Sequence, residues 1–403
     1  AAIMIAEPFD YQWESMGEYL ACMAKKQLIV NMAELVGHAA IHYSAAETRR
    51  GALEPDEMKN CLAATEKALS EGARGLSFGL GYDPGMYTPS EEMEAFCSVA
   101  AQQDKPVTVH LKALSRLSPA YPLTTPKAHN VLALEEMLSI ARKTGAKLQL
   151  SHFIFVGRRS WNTVETCLEL VEEARKDGVD VMIDAFPHTS GNTTILAPFP
   201  YWFLAGLPEA YNRFWARLRL RAELELGFRL VGFIYKDFQV MDAAVDGWED
   251  LNGLRMNQVA KKWGCSPFKA MLRLAQESNG AALMLLHTYS GEPGNEKPLE
   301  QVLSHERCLF ETDVIIKASG FPNPEGLGTF PKILGTYARD KGLFSIENAV
   351  MRMTSASADR FGFKDIGRLQ PGKAADVVLF DPDHVADSPP TNGGPFGKPK
   401  GCL

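Results

Sequence analysis

The sequence is first constrained by what it lacks. It has no basic excess: 42 Lys and Arg face 49 Asp and Glu over 403 residues, a net charge of −7 and a pI near 5.8. No positive field is left to hold a polyanion, so nucleic acid is not an expected partner. The seven cysteines (22, 61, 97, 167, 265, 308 and 402) are scattered and never in CxxC spacing. This excludes a disulfide framework or zinc ribbon and predicts a reducing, cytoplasmic setting with unpaired, mostly buried thiols. No apolar run reaches the roughly 18–20 residues of a membrane span, so no membrane association is expected. The start, "AAIMIAEPFD", has neither an initiator Met nor the basic region of a secretory signal, and reads as a cut inside a longer protein. There is no GxSxG elbow to supply a serine nucleophile. "GARGLSFGLGYDPG" is glycine-rich but fits neither the Walker pattern nor a dinucleotide fingerprint. Histidine is scarce too, at nine residues.

What is present alternates. Apolar runs at 27–36, 72–80, 105–111, 147–153, 180–186 and 307–313 read as buried strands. Amphipathic stretches at 55–71, 91–103, 132–144 and 163–177 lie between them, the last ending at Gly178 as a C-cap. Strand–helix alternation of this kind predicts βαβ units and a parallel sheet covered on both faces or closed into a barrel. Residues 112–130, rich in Pro, Ser and Thr, form a loop, and 195–306 a mainly helical insertion with one extra strand at 282–287. The aromatic clusters at 201–217 and 228–238 read as core or interface.

The chemistry-bearing residues collect at predicted strand ends: His110, His152, Asp184 with His188 just beyond, and Asp313. In α/β sheets and barrels that edge gathers the functional loops. Two histidines and a carboxylate are a common ligand set for zinc or another divalent transition ion. The competing reading is that strand-end histidines are hydrogen-bonded structural residues. His188 reads as a loop residue or a substrate contact. His38 reads as packing or support for the site, and His287 is equally ambiguous. His42, His129, His305 and His384 read as surface residues.

At these positions the chain resembles the D-aminoacylase (N-acyl-D-amino-acid deacylase) branch of the metal-dependent amidohydrolase superfamily. The resemblance runs through "WESMGEYL", "NMAELVGHAAI", "EGARGLSFGLGYDPGMYTPSEEM", "VTVHLK", "LQLSHF", "DAFPHTSGNTT" and the long "LGTFPKILGTYARDKGLFSIENAVMRMTSASADRFGFKDIGRLQPGKAADVVLFDPD". It implies an α/β fold, a (β/α)8 TIM-like barrel of the amidohydrolase type over 1–365. Residues 366–403 would be a segment of a small β-sandwich. It implies one or two ions of zinc or another divalent metal, held by His110, His152 and Asp313, with Asp313 as catalytic proton shuttle. The substrate would be a small-molecule amide, with Ser77, Phe186, His188 and Glu325 near it, and the enzyme a hydrolase of non-peptide C–N bonds, with homo-oligomerisation compatible.

Three departures accompany the resemblance. The family's HxH pair and cysteine ligand are absent, which implies an N-terminal part outside this sequence and, without it, an incomplete barrel. Ile154 stands where the family has a lysine. Glu325 stands where the family has an arginine before "GTFP", so a free α-carboxylate on the substrate is disfavoured and a neutral or amine-bearing amide becomes an alternative. A cyclic-amide hydrolase of the hydantoinase or dihydroorotase kind shares the barrel, but "GLSFGL" offers no lysine to carbamylate. A non-catalytic partial barrel is the remaining alternative.

Overall fold

The computed structural model describes residues 13–26, 28, 30–46, 51–122, 124–314 and 320–388. Its centre is a six-stranded, all-parallel sheet: β1 (Leu35–Gly37), β2 (Gly75–Gly79), β3 (Pro106–His110), β4 (Lys147–Leu150), β5 (Val181–Ala185) and, after an excursion, β9 (Cys308–Phe310). The crossovers are the helices Pro55–Ser70, Ser90–Gln102, His129–Thr144 and Val164–Lys176, followed by Lys297–Ser304 before β9. Each predicted helix is present. Gly178 adopts φ +88°, the left-handed turn that ends its helix. Strands of near-continuous apolar residues are what a sheet buried on both faces demands: Val107, Val109, Leu148, Leu150 and Ile183 are all at most 1% exposed.

The predicted strands hold, trimmed at their ends. Over 27–36 the ladder is confined to β1, and residues 30–34 carry no strand. β4 stops at Leu150 and β9 at Phe310, so His152 and Asp313 sit just beyond their strands rather than on them. Within 195–306 helices outweigh strands, but there are two strands rather than one, β7 (Phe238–Asp242) and β8 (Leu283–His287). With β6 (Ser190–Thr194), just before the insertion, they form an antiparallel sheet in the order β6-β8-β7. β6 was missed because "SGNTT" is polar, with a propensity for turns rather than strands. Around this sheet lies a separate hydrophobic core containing Phe203, Tyr211, Phe228, Phe238, Met271 and Leu274, so the aromatic clusters are largely interior. Tyr201, Phe214 and Trp215 are the exposed exceptions.

Residues 369–379 form no strand ladder, and Val377, Val378 and Leu379 are exposed. Residues 389–403 lie outside the described set. No helix among the described residues is long and apolar enough to cross a membrane. The six described cysteines are free, four of them buried, and burial raises Cys97, Cys167 and Cys308 to about 12.

Candidate active site

Parallel β3, β4, β5 and β9 point their carboxyl ends the same way, so the residues that follow them converge. His110 closes β3, and its Nδ1 lies 2.7 Å from His152 Nε2. The two rings are 4.4 Å apart and nearly perpendicular. The spacing in sequence is 42 residues, and the βαβ unit folds it into contact. Gly81 makes room for His110: a Cβ there would sit 2.4 Å from His110 Nε2. The Tyr82 ring lies over the same imidazole, centroid to centroid 4.6 Å.

His152 is fixed through its backbone. Asp184, at the end of β5, accepts the His152 backbone N–H at 2.7 Å through Oδ1, and the Gln149 side-chain N–H at 2.6 Å through Oδ2. Gln149 in turn accepts from Arg360 Nε at 3.1 Å, and Arg360 pairs with Asp180 at 2.7 Å. A chain of polar contacts therefore crosses the sheet interior from the helix Ser355–Arg360 to the backbone of His152. His152 has φ +35° and Asp313 φ +45°. Non-glycine residues rarely occupy that region, at about 1–3 kcal/mol each, and such strain gathers at functional sites. Both outliers coincide with residues singled out from the sequence.

Asp313 is open to solvent. Crowding by the protein raises its carboxyl above the ordinary value, with nearby His152 pulling it down. Burial, and then the neighbouring Asp184 and Asp313, hold Glu311 well above the usual carboxylate range. Asp184 is also raised by burial, against the pull of its hydrogen bonds. Burial and the charge of His152 keep His110 well below 6.5, so it is a neutral imidazole with a lone pair to offer.

A further wall comes from the insertion. Thr288 (φ +95°) and Ser290 (φ +52°) flank Tyr289. The segment is pinned by Thr288 and Tyr289 N–H groups donating to Thr189 O (2.9 and 3.0 Å) and Ser290 N–H to Phe155 O (3.0 Å). Tyr289 lies above Gly191, where a Cβ would come within 2.4 Å of its ring. Burial, followed by Tyr82, Asp313 and Glu325, pushes its hydroxyl well above 10. Phe186 is fully buried and packs toward Tyr289 at 6.4 Å. His188 is 6% exposed, with Nε2 lacking a partner. Ile154, also buried, belongs to the insertion's core. Glu325 is fully buried at the start of the helix Glu325–Lys332. Ser77 lies mid-strand in β2, paired with Thr108 and Gly37, while Gly79 is the β2 residue opposite His110.

The sequence-predicted residues thus divide. His110 and His152 meet, and Asp313 is near His152. Phe186, His188 and Glu325 line the same region, while Ser77 stands apart. Tyr82, Gln149, Tyr289, Glu311 and Asn323 were not singled out as site residues. Glu311 could have been, as the acid two residues before Asp313; Tyr289 has no sequence signal.

Two surface assignments are corrected. His42 is 1% exposed and His129 2% exposed; each helix turns its histidine inward. Among the described residues, the three ligand-type side chains whose donor atoms all lie within 4.8 Å are His38, His42 and Glu92, not the predicted trio. His38 Nε2 meets Glu92 Oε1 at 2.8 Å, and Leu53 N–H donates to Glu92 Oε2 at 3.1 Å. These buried groups pair acid with base and pack against Phe78 and Phe96, with His38 Nδ1 left without a partner. The His110–His152 pair differs, being two imidazoles beside a strained backbone and an open carboxylate. Zinc–nitrogen bonds of about 2.0–2.1 Å in a tetrahedral site require ligand atoms about 3.3 Å apart, a small opening from 2.7 Å. That donor set fits a divalent transition ion.

No family model matches the chain. It is similar to the N-acyl-D-glutamate deacylase of Alcaligenes xylosoxydans xylosoxydans, 29% identical over 379 residues, covering 92% of this chain and 64% of that protein. The D-aminoacylase of the same organism is 26% identical, with 96% and 68% covered. Among solved structures, the N-acyl-D-glutamate deacylase from Bordetella bronchiseptica, complexed with zinc and a phosphonate mimic of the tetrahedral intermediate, matches at a TM-score of 0.78 and 27% identity. That match covers all of this chain and 72% of the other. A D-aminoacylase structure matches at 0.73 and 26%, with 96% and 69% covered. The chain therefore spans about two thirds of the length of these relatives.

Proposed function

We propose that this chain, a relative of the D-aminoacylase branch of the metal-dependent amidohydrolase superfamily, carries the machinery for hydrolysing the C–N amide bond of a small acylated molecule, in the manner of an N-acyl-D-amino-acid deacylase. The observation that carries the reading is the meeting of His110 Nδ1 and His152 Nε2 at 2.7 Å on the carboxyl edge of the parallel sheet. Its similarity to deacylases along 92–96% of its length supports the same reaction class. The dihydroorotase of Lactobacillus acidophilus is similar over 57 residues only, 14% of this chain, which does not favour the cyclic-amide alternative.

In this reading His110, His152 and Asp313 hold one or two ions of zinc or another divalent transition metal. An ion held there would supply a water of lowered pKa and polarise the scissile carbonyl. Asp313, raised above its ordinary value, is suited to take a proton from that water and deliver it to the departing amine as the C–N bond breaks. Asp184 holds His152 in its strained conformation. Tyr289 and Phe186 wall one side of the reacting centre, while Asp313 faces solvent. Cytoplasmic placement and homo-oligomerisation belong to the same proposal, the former supported by the free cysteines.

Elemental analysis of the purified protein beside a His110→Ala/His152→Ala variant tests the site, with acid release from acylated amines as the activity readout. Near-stoichiometric metal lost in the variant, with hydrolysis lost in parallel, is the expected result. Equal metal in both, or hydrolysis untouched by the double substitution, overturns it.

A further inference from the structure

Glu325 is 0% exposed, yet its carboxylate is only half satisfied. Oε2 accepts from Asn323 Nδ2 at 2.7 Å, while Oε1 is buried with no hydrogen-bond partner. Asn323 cannot reach both oxygens. Its Nδ2 also donates to Asn192 Oδ1 at 2.6 Å, and its Oδ1 accepts the Glu325 backbone N–H at 3.1 Å. The frame therefore holds the carboxylate in one orientation with one oxygen left over. That oxygen lies 3.5 Å from the place a Cβ would occupy on Gly191, beside the Tyr289 ring. A buried polar atom of this kind is costly unless something completes it.

The surroundings decide what completes it. Burial lifts Glu325 well above 4.5 against the pull of its Asn323 hydrogen bond, Asp313 adds to the rise, and no cation among the described residues offsets it. Asp184, Glu311 and Asp313 add further carboxyls to the same region. A carboxylate-bearing ligand would add to the same upward push, whereas a cation beside Oε1 would reverse it, favour the ionised form and find an acceptor in a water-poor wall. Arg and Lys are the usual partners of such a carboxylate, and among the described residues none enters its surroundings.

We propose that Glu325, framed by Asn323 and Asn192 and walled by Gly191 and Tyr289, is a subsite for a cationic nitrogen group, a primary ammonium or guanidinium, on the non-scissile part of the substrate. The inference rests on the amide-hydrolase reading of the neighbouring histidine pair. It names the substrate class as acylated amines that carry a second, free cationic nitrogen.

The test uses methyl ketones matched in length, which carry the acyl carbonyl but no scissile C–N bond, ending in ammonium, methyl or carboxylate. Calorimetric binding to the metal-loaded wild-type protein should rank ammonium above methyl by about ten- to a hundredfold, with carboxylate weakest. Glu325→Gln, which keeps the shape, should erase the ammonium advantage. The wild-type comparison needs no variant, so a poorly folded Glu325→Gln protein leaves it intact. Equal binding of ammonium and methyl ketones, tightest binding of the carboxylate, or no binding of any of the three overturns the subsite. So does loss of a metal equivalent in Glu325→Gln with the ranking unchanged, which would make Glu325 a metal ligand. Hydrolysis of the corresponding acetamides is measured separately. Failure there with the ketone ranking retained overturns the hydrolytic reading and not the subsite.

Discussion

Gly81→Ala puts the histidine pair under direct strain while leaving the fold alone. Gly81 has no positive φ, so alanine costs nothing in backbone conformation. Its Cβ would lie 2.4 Å from His110 Nε2 and 2.7 Å from Cδ2, and only Leu111 O otherwise comes as near as 3.4 Å. Ordinary contact begins near 3.4 Å, so the ring must retreat by about 1 Å. It cannot slide along its own line, because Nδ1 is already 2.7 Å from His152, and Tyr82 lies over its face. The imidazole has to rotate away. Metal–ligand distances tolerate about 0.2 Å, so the displacement exceeds the allowance several-fold. We expect metal affinity to drop by about ten- to a hundredfold, with unfolding free energy in chelator changed by no more than about 0.5 kcal/mol. Competition against a chromogenic chelator measures the first, and urea denaturation the second. Unchanged affinity would refute the argument, because it would mean that the His110 ring is not where the metal is held.

Asp313→Asn should lower kcat/KM by about 10²–10⁴-fold while the histidine pair still retains metal; near-wild-type hydrolysis would remove the proton-transfer role. Gln149→Leu leaves Asp184 Oδ2 and Arg360 Nε without their partners, so urea unfolding should show a loss of about 2–6 kcal/mol at about 1–3 per orphaned group, accompanied by weaker metal binding. Burial, and then Arg255, push His287 down to about 3, against 6.5 in the unfolded chain. The unfolded chain therefore takes up a proton that the native state refuses, and the contribution is present above pH 6.5 and lost as pH falls toward 3. The chelator-treated wild type should lose stability faster than His287→Gln over this window, by up to about 1.4 kcal/mol per pH unit; parallel acid limbs would contradict this.

The parallel sheet was legible because its strands are short segments rich in apolar residues and the crossover helices between them carry apolar residues at three- and four-residue spacing. The convergence of His110 and His152 followed from that topology alone, since parallel strands share one functional edge. What escaped the sequence has physical causes. β6 is built from Ser, Gly, Asn and Thr, and it is a strand only because β8 supplies its ladder partners. His42 and His129 are polar side chains on helices, a residue type that suggests an outer face; in the fold they turn inward and meet Glu92 and Ser118. Tyr289 reaches the site through two left-handed residues, Thr288 and Ser290, a conformation that neither residue type advertises. Glu325 was visible as an oddity of charge; its half-satisfied state depended on Asn192, 131 residues upstream of Asn323.

Ile154 and Phe186 come from the ends of β4 and β5, yet both belong to the insertion's core and not to the core beneath the sheet. The molecule therefore has two interiors that can drift in sequence independently, joined at the residues that overlook the histidine pair. Over evolutionary time, the insertion can be rebuilt for a new substrate without disturbing the packing that aligns His110 with His152. Accumulated changes should then fall unevenly: dense in 195–286, sparse in the strands that carry the histidines. A laboratory library confined to the insertion is accordingly the economical route to altered selectivity.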